Sequence, residues 1–135
     1  MSAFSNYLEE QIVKFFLQEN TAGVTTPGQL YLALFTNASP EAWTDATSFA
    51  EPAYAAYARK AVDWTNISSG QTKNNAAISF DANNDVSPVT ITGIGVYDAL
   101  TTGNLLLWAP LSTAKELANG DTISFAENAI VFTLN

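Results

Sequence analysis

Only one stretch of this chain, near its start, carries apolar residues at helical spacing. Beyond Pro27 the texture is short runs rich in Thr, Val, Ile and aromatics, broken by Gly, Asn, Asp and Pro. That is strand-and-turn composition. The lack of a second long helix to make crossovers argues against a parallel βαβ sheet. The expectation is a mainly β chain: an antiparallel β-sandwich, of jelly-roll or immunoglobulin-like type, with one N-terminal amphipathic helix. At 135 residues it is one domain, 1–135, large enough to bury a core without disulfides or metals.

The helix is expected over residues 5–22. Leu8, Ile12, Phe15 and Phe16 share one face, Ser5 or Asn6 caps the start, and Gly23 stops it. The sandwich is expected over 28–135, with strands at 30–36, 57–64, 74–80, 89–97, 105–109, 113–117, 122–125 and 129–134. The first is apolar on both faces, so it should be central and covered on both sides, one of them by the helix. Gly93 and Gly95 suggest a bulge or a close backbone approach. Asn119-Gly120 reads as a type I′ hairpin. Residues 37–56 form a long connection of the kind that is usually functional.

The chain contains no His and no Cys. That removes Ser-His-Asp and Cys-His catalysis, zinc fingers and iron–sulfur clusters, so no catalytic residue, metal site or cofactor is expected. Five basic residues against thirteen acidic ones, net −8, is the wrong sign for a nucleic-acid binder. No apolar run approaches the roughly 20 residues that span a bilayer. Residues 1–10 carry no positive charge, so no secretory signal is read there.

Each remaining motif has a bland alternative. Asp81-Ala82-Asn83-Asn84-Asp85 offers oxygen ligands for Ca²⁺, but Val86 stands where an EF-hand needs Gly, and a polar turn is the better reading. Asn66-Ile67-Ser68 fits a glycosylation acceptor, read as empty without a secretory signal. Gly93-Ile94-Gly95 has no helix or Lys to make a phosphate loop. Arg59 suits a partner carboxylate or, as its stronger reading, an internal acid. Phe15 and Phe16 on the helix, and Trp43, Phe49 and Tyr54 in or near the long connection, are with Arg59 the expected partner-interface residues; for Trp43 and Phe49 the alternative is a loop folded back on its own core. Trp43 with Asp45, or Trp108 with Asn104, would suit a carbohydrate-binding module.

The ordered set SNYLEEQIVKFF, LYLALFTNASP, YARKAVDW, NNAAISF, ITGIGVYDA, TGNLLLWAPL and LANGDTISFAENAIVFTLN resembles short bacteriophage virion proteins of the tail-fibre-like type. It departs from them at residues 41–56, where they carry a shorter Gly-rich loop. The resemblance implies a non-enzymatic bacteriophage virion structural protein, made in the host bacterial cytoplasm and carried on the outer surface of the capsid or tail. A fibre needs length, and a folded domain this size has a radius of gyration of only about 14 Å. The expected role is therefore a capsid decoration, or cement, protein that stabilises the assembled shell. Its partners are the major capsid protein or another virion protein and its own copies, as a homotrimer, with no nucleic acid and no membrane. A tail-fibre or tail-tip module is the alternative.

Overall fold

The computed structural model describes residues 4–17, 26–37 and 49–133. One helix, α1 (Asn6–Phe16), precedes eight strands: β1 (Leu30–Phe35), β2 (Lys60–Val62), β3 (Gln71–Lys73), β4 (Ile78–Ser79), β5 (Val89–Tyr97), β6 (Leu105–Leu117), β7 (Ser124–Phe125) and β8 (Val131–Thr133). The fold is mainly β, with antiparallel pairing throughout and one short N-terminal helix. A four-stranded sheet runs β2-β1-β5-β6, and β3-β8 and β4-β7 form separate two-stranded ribbons.

β1 is central and buried on both faces, as its unbroken apolar run requires. Leu32 and Leu34 join Val62, Ile91 and Val96 against Ile78, Phe80 and Ile123 from the ribbon side, the larger core. Ala33 and Phe35 face the other way, onto Tyr97, Leu105, Trp108 and Phe49. Burying each Leu or Phe contributes about 1.5–3 kcal/mol. The second face is covered by Trp108 and Phe49, whereas α1 packs against β6. The expectation that the helix lies over β1 is corrected accordingly: its contacts are with β6, the edge strand two places from β1.

The tether explains where α1 starts. Ser5 accepts from the Leu8 N–H (3.2 Å) as N-cap, and its hydroxyl donates to the Leu105 carbonyl. The Ser5 N–H donates to Leu106 O at 2.9 Å, and Phe4 bridges Leu107, so the chain leaves the edge of β6 directly into the helix. Glu9 in the first turn and Lys14 in the last suit the dipole. The described helix ends at Phe16 with Leu17 as cap; residues 18–22 of the expected helix and Gly23 lie outside the described residues.

Both glycine signals in β5 have a structural counterpart. The β5–β6 register shifts between Ile91 and Gly93, where Ile91 pairs Lys115 but Gly93 pairs Pro110. Residues 105–117 are thus one bulged strand rather than the expected two. A Cβ on Gly95 would lie 2.4 Å from Phe35 Cζ and 2.9 Å from Leu105 Cδ1, so only glycine fits under that ring.

The turns differ from expectation. Ser69 (φ 52°) and Gly70 (φ 72°) make the I′-type hairpin turn, with Ser68 and Gln71 exchanging both backbone hydrogen bonds at 3.0 Å. At 119–120 only Gly120 has positive φ (88°), and β7 pairs β4 rather than β6. The Gly120 N–H goes to Asn83 O (2.7 Å), which makes this corner a tie to another loop instead of a two-strand hairpin. The expected strand 74–80 shrinks to β4 because Asn74 turns inward: its amide donates to Ala76 O and Ala126 O, and its oxygen accepts from Ile130 N–H.

Candidate functional site

Arg59 precedes β2 and projects onto the Tyr97 side of the sheet, with Cζ 3.6 Å from that ring's centroid. Its Nε and Nη2 donate to Glu51 Oε1 (3.0 Å) and Oε2 (2.8 Å), a bidentate pair. Nη1 donates to the carbonyls of Ala99 (2.8 Å) and Thr102 (2.7 Å). Tyr57 donates to Glu51 Oε1 (2.6 Å) and accepts from the Leu34 N–H (3.1 Å). One guanidinium therefore ties the 51 segment, β2 and the β5–β6 loop into a single unit.

The electrostatics fit a structural tie. Burial works to lower the Arg59 pKa, but the hydrogen bonds and charge of Glu51, with Tyr97 and Tyr57, together hold the value above the ordinary one. Burial pushes the Tyr97 hydroxyl up to about 12, with the Glu51 charge adding to it. Burial, then the hydrogen bond to Glu51, raises Tyr57 further. All three groups keep one protonation state at neutral pH, so none is poised for acid–base work. The internal-acid reading of Arg59 is the one this geometry matches, and at 8% exposure it is withdrawn from any partner.

The other expected interface residues divide. Tyr54 is buried, its hydroxyl donating to Asp81 O (3.1 Å). Phe49 packs on Phe35 (centroids 4.2 Å apart) and Trp108 (5.9 Å), which is the folded-back alternative. Tyr54 and Arg59 are thus buried and Phe49 is partly buried, each already engaged by residues of its own chain. Trp43 lies outside the described residues, as does Asp45. Phe15 and Phe16 are different: they are 47% and 69% exposed, next to Leu17 at 78%. Their rings meet edge to face at 4.8 Å. The start of α1 is held on β6 while its last turn presents apolar side chains to solvent.

Among the described residues no group of three acidic residues gathers as a metal site. In the 81–85 segment Asn83 points inward, fully buried, donating to Ser87 O (3.0 Å) and Leu117 O (2.9 Å) and accepting from Asp85 N–H (2.9 Å). Asp81 pairs with Lys60 at 2.6 Å. The polar-turn reading holds there. Trp108 is buried and Asn104 is bound to Asp98, so that pair makes no sugar platform. A cavity of about 260 Å³ opens between β5–β6 and β8, beside the stacked rings of Phe4 and Phe132. Trp64, Ile94, Leu107 and Ile130 line it, and among the described residues no charged side chain does. Among the described residues no helix is long and apolar enough to cross a membrane.

Sequence reasoning missed the two buried asparagines, Asn74 and Asn83. Each follows a break in the apolar pattern by satisfying both its amide and its carbonyl on the backbone of neighbouring turns. For Asn83 the surrounding turn residues pointed only to a polar turn, and Asn74 reads in sequence as the first residue of a strand.

No curated protein matches the sequence. The family model described as podophage GP4 fiber I protein gp80 matches residues 3–133, nearly the whole chain and every described element. The chain belongs to that family of bacteriophage fibre proteins.

Proposed function

We propose that the protein is a non-enzymatic structural subunit of the phage virion, serving in the fibre apparatus and held in the particle by protein–protein contacts through the last turn of α1. The observation that carries this reading is a contrast within one molecule. The one arginine is saturated internally, whereas Phe15, Phe16 and Leu17 stand in solvent. Covering a side chain of this kind contributes at most about 1.5–3 kcal/mol, less where it is already half-buried, so the three supply the apolar centre of a larger contact. The family match along residues 3–133 supports the fibre assignment. The net charge of −8 disfavours nucleic acid as a partner and suits a soluble free subunit.

A second reading is favoured by the compact form of the sheet and its two ribbons, which pack around one core without a stalk or repeat among the described residues. It is a cement protein that bridges neighbouring copies of the major capsid protein and stabilises the shell by binding only its assembled form. In both readings the working unit is a closed homotrimer. Gold-labelled antibody on intact particles separates them: label at the tail supports the fibre reading, and label over the capsid facets supports the cement reading. Label at neither place overturns both.

A further inference from the structure

Asn119-Gly120 is the sole Asn-Gly pair in the chain. Such a pair is chemically labile, because glycine has no Cβ to shield its backbone nitrogen from the preceding side-chain amide. The Gly120 nitrogen loses its proton to solvent base and bonds to Asn119 Cγ. The tetrahedral centre then expels Nδ2, which leaves as ammonia after taking up a proton, and a five-membered succinimide remains. Water adds to either ring carbonyl and opens it to aspartate or isoaspartate. No oxidant or reductant is needed.

In the folded protein both reacting groups are engaged elsewhere. The Gly120 N–H donates to Asn83 O at 2.7 Å, and Asn119 Nδ2 donates to Asp85 O at 3.0 Å. Asp121 closes the corner, its N–H donating to Ala118 O (2.9 Å) and its Oδ2 accepting from Ala118 N–H (3.0 Å). The acceptor platform is itself fixed, since Asn83 is fully buried with three side-chain hydrogen bonds. We propose that Asn119 is a latent deamidation site that the native fold holds shut. Attack requires the nitrogen to leave Asn83 and the side chain to leave Asp85, so modification proceeds through opening of the corner formed by residues 83–87 and 117–121. Once made, the product adds a carboxylate beside Asp85 and Asp121 and cannot restore the lost amide hydrogen bond.

The test compares the folded wild-type protein with the same protein in urea, at one mildly alkaline pH and one temperature. Mass spectrometry of the peptide carrying Asn119 and an isoaspartate assay follow conversion. Conversion at least tenfold slower in the folded protein is expected; rates within twofold of each other overturn the proposal. Asn83→Ala removes the pins of the platform without removing its backbone acceptor. Where circular dichroism shows this variant folded, several-fold faster conversion at Asn119 is expected, and an unchanged rate overturns the proposed route. If the variant does not fold, the wild-type comparison decides alone.

Discussion

Arg59 and Glu51 are joined by two parallel hydrogen bonds, 3.0 and 2.8 Å long, with the guanidinium laid on the Tyr97 ring. The remaining Nη1 donors hold two carbonyls of the β5–β6 loop. This geometry needs a planar fork, which an ammonium does not have. Arg59→Ala should cost roughly 2–3 kcal/mol, below the 3–5 of a fully enclosed pair because the Glu51 side chain keeps 25% exposure. Arg59→Lys should recover only part of it. Urea unfolding of both variants checks the order, and an Arg59→Lys variant as stable as the wild type contradicts the bidentate account.

The phenolic protons give a second, independent handle on the same cluster. Tyr97 titrates at about 12 when folded, and Tyr57 is also raised, against an unfolded value of 10.0. The folded state therefore holds protons that the unfolded state has released. That stabilisation is complete below about pH 10 and is lost as pH rises toward 12. Melting curves across this window should fall steeply, and Tyr97→Phe should flatten part of the fall. A flat profile in the wild type contradicts the burial.

Gly95 and Phe35 form a packing pair that leaves no room for a methyl group. Gly95→Ala should destabilise by about 1–3 kcal/mol through overpacking. Combining it with Phe35→Leu should lose less than the sum of the two single changes, since the smaller side chain vacates the space. Additive losses in a denaturation cycle point to some cause other than this contact.

The described ends of the long connection are pinned to each other. Thr36 N–H donates to Ala50 O (2.9 Å), and Ala50 N–H donates to Asn37 Oδ1 (2.8 Å).

The elements that sequence made legible are those with a strong local pattern. β1 announces itself by six consecutive apolar residues, α1 by Leu8, Ile12 and Phe15 behind a Ser cap, and the β5 irregularity by its glycines. β3 was invisible because Gln71, Thr72 and Lys73 contain no apolar residue; pairing with β8, not burial, makes it a strand. The I′ turn falls at Ser69-Gly70 and not at Asn119-Gly120 because a long-range bond to Asn83 overrides local turn chemistry at the second pair. At the candidate site, the apolar helix end was readable from spacing. The internal pairing of Arg59 was readable from the surplus of acids, whereas the inward placement of Phe49 and Tyr54 was not, since aromatics in a connection look alike whether they face a partner or their own core.

Incorporation into particles tests the docking claim most directly. A Phe15→Ser, Phe16→Ser double variant removes two exposed rings and should alter the stability of the isolated protein by no more than about 1 kcal/mol. Quantitative mass spectrometry of purified virions made with this variant should show its copy number reduced at least tenfold against wild type. Wild-type copy number in those virions contradicts the assignment of the α1 end as the anchor.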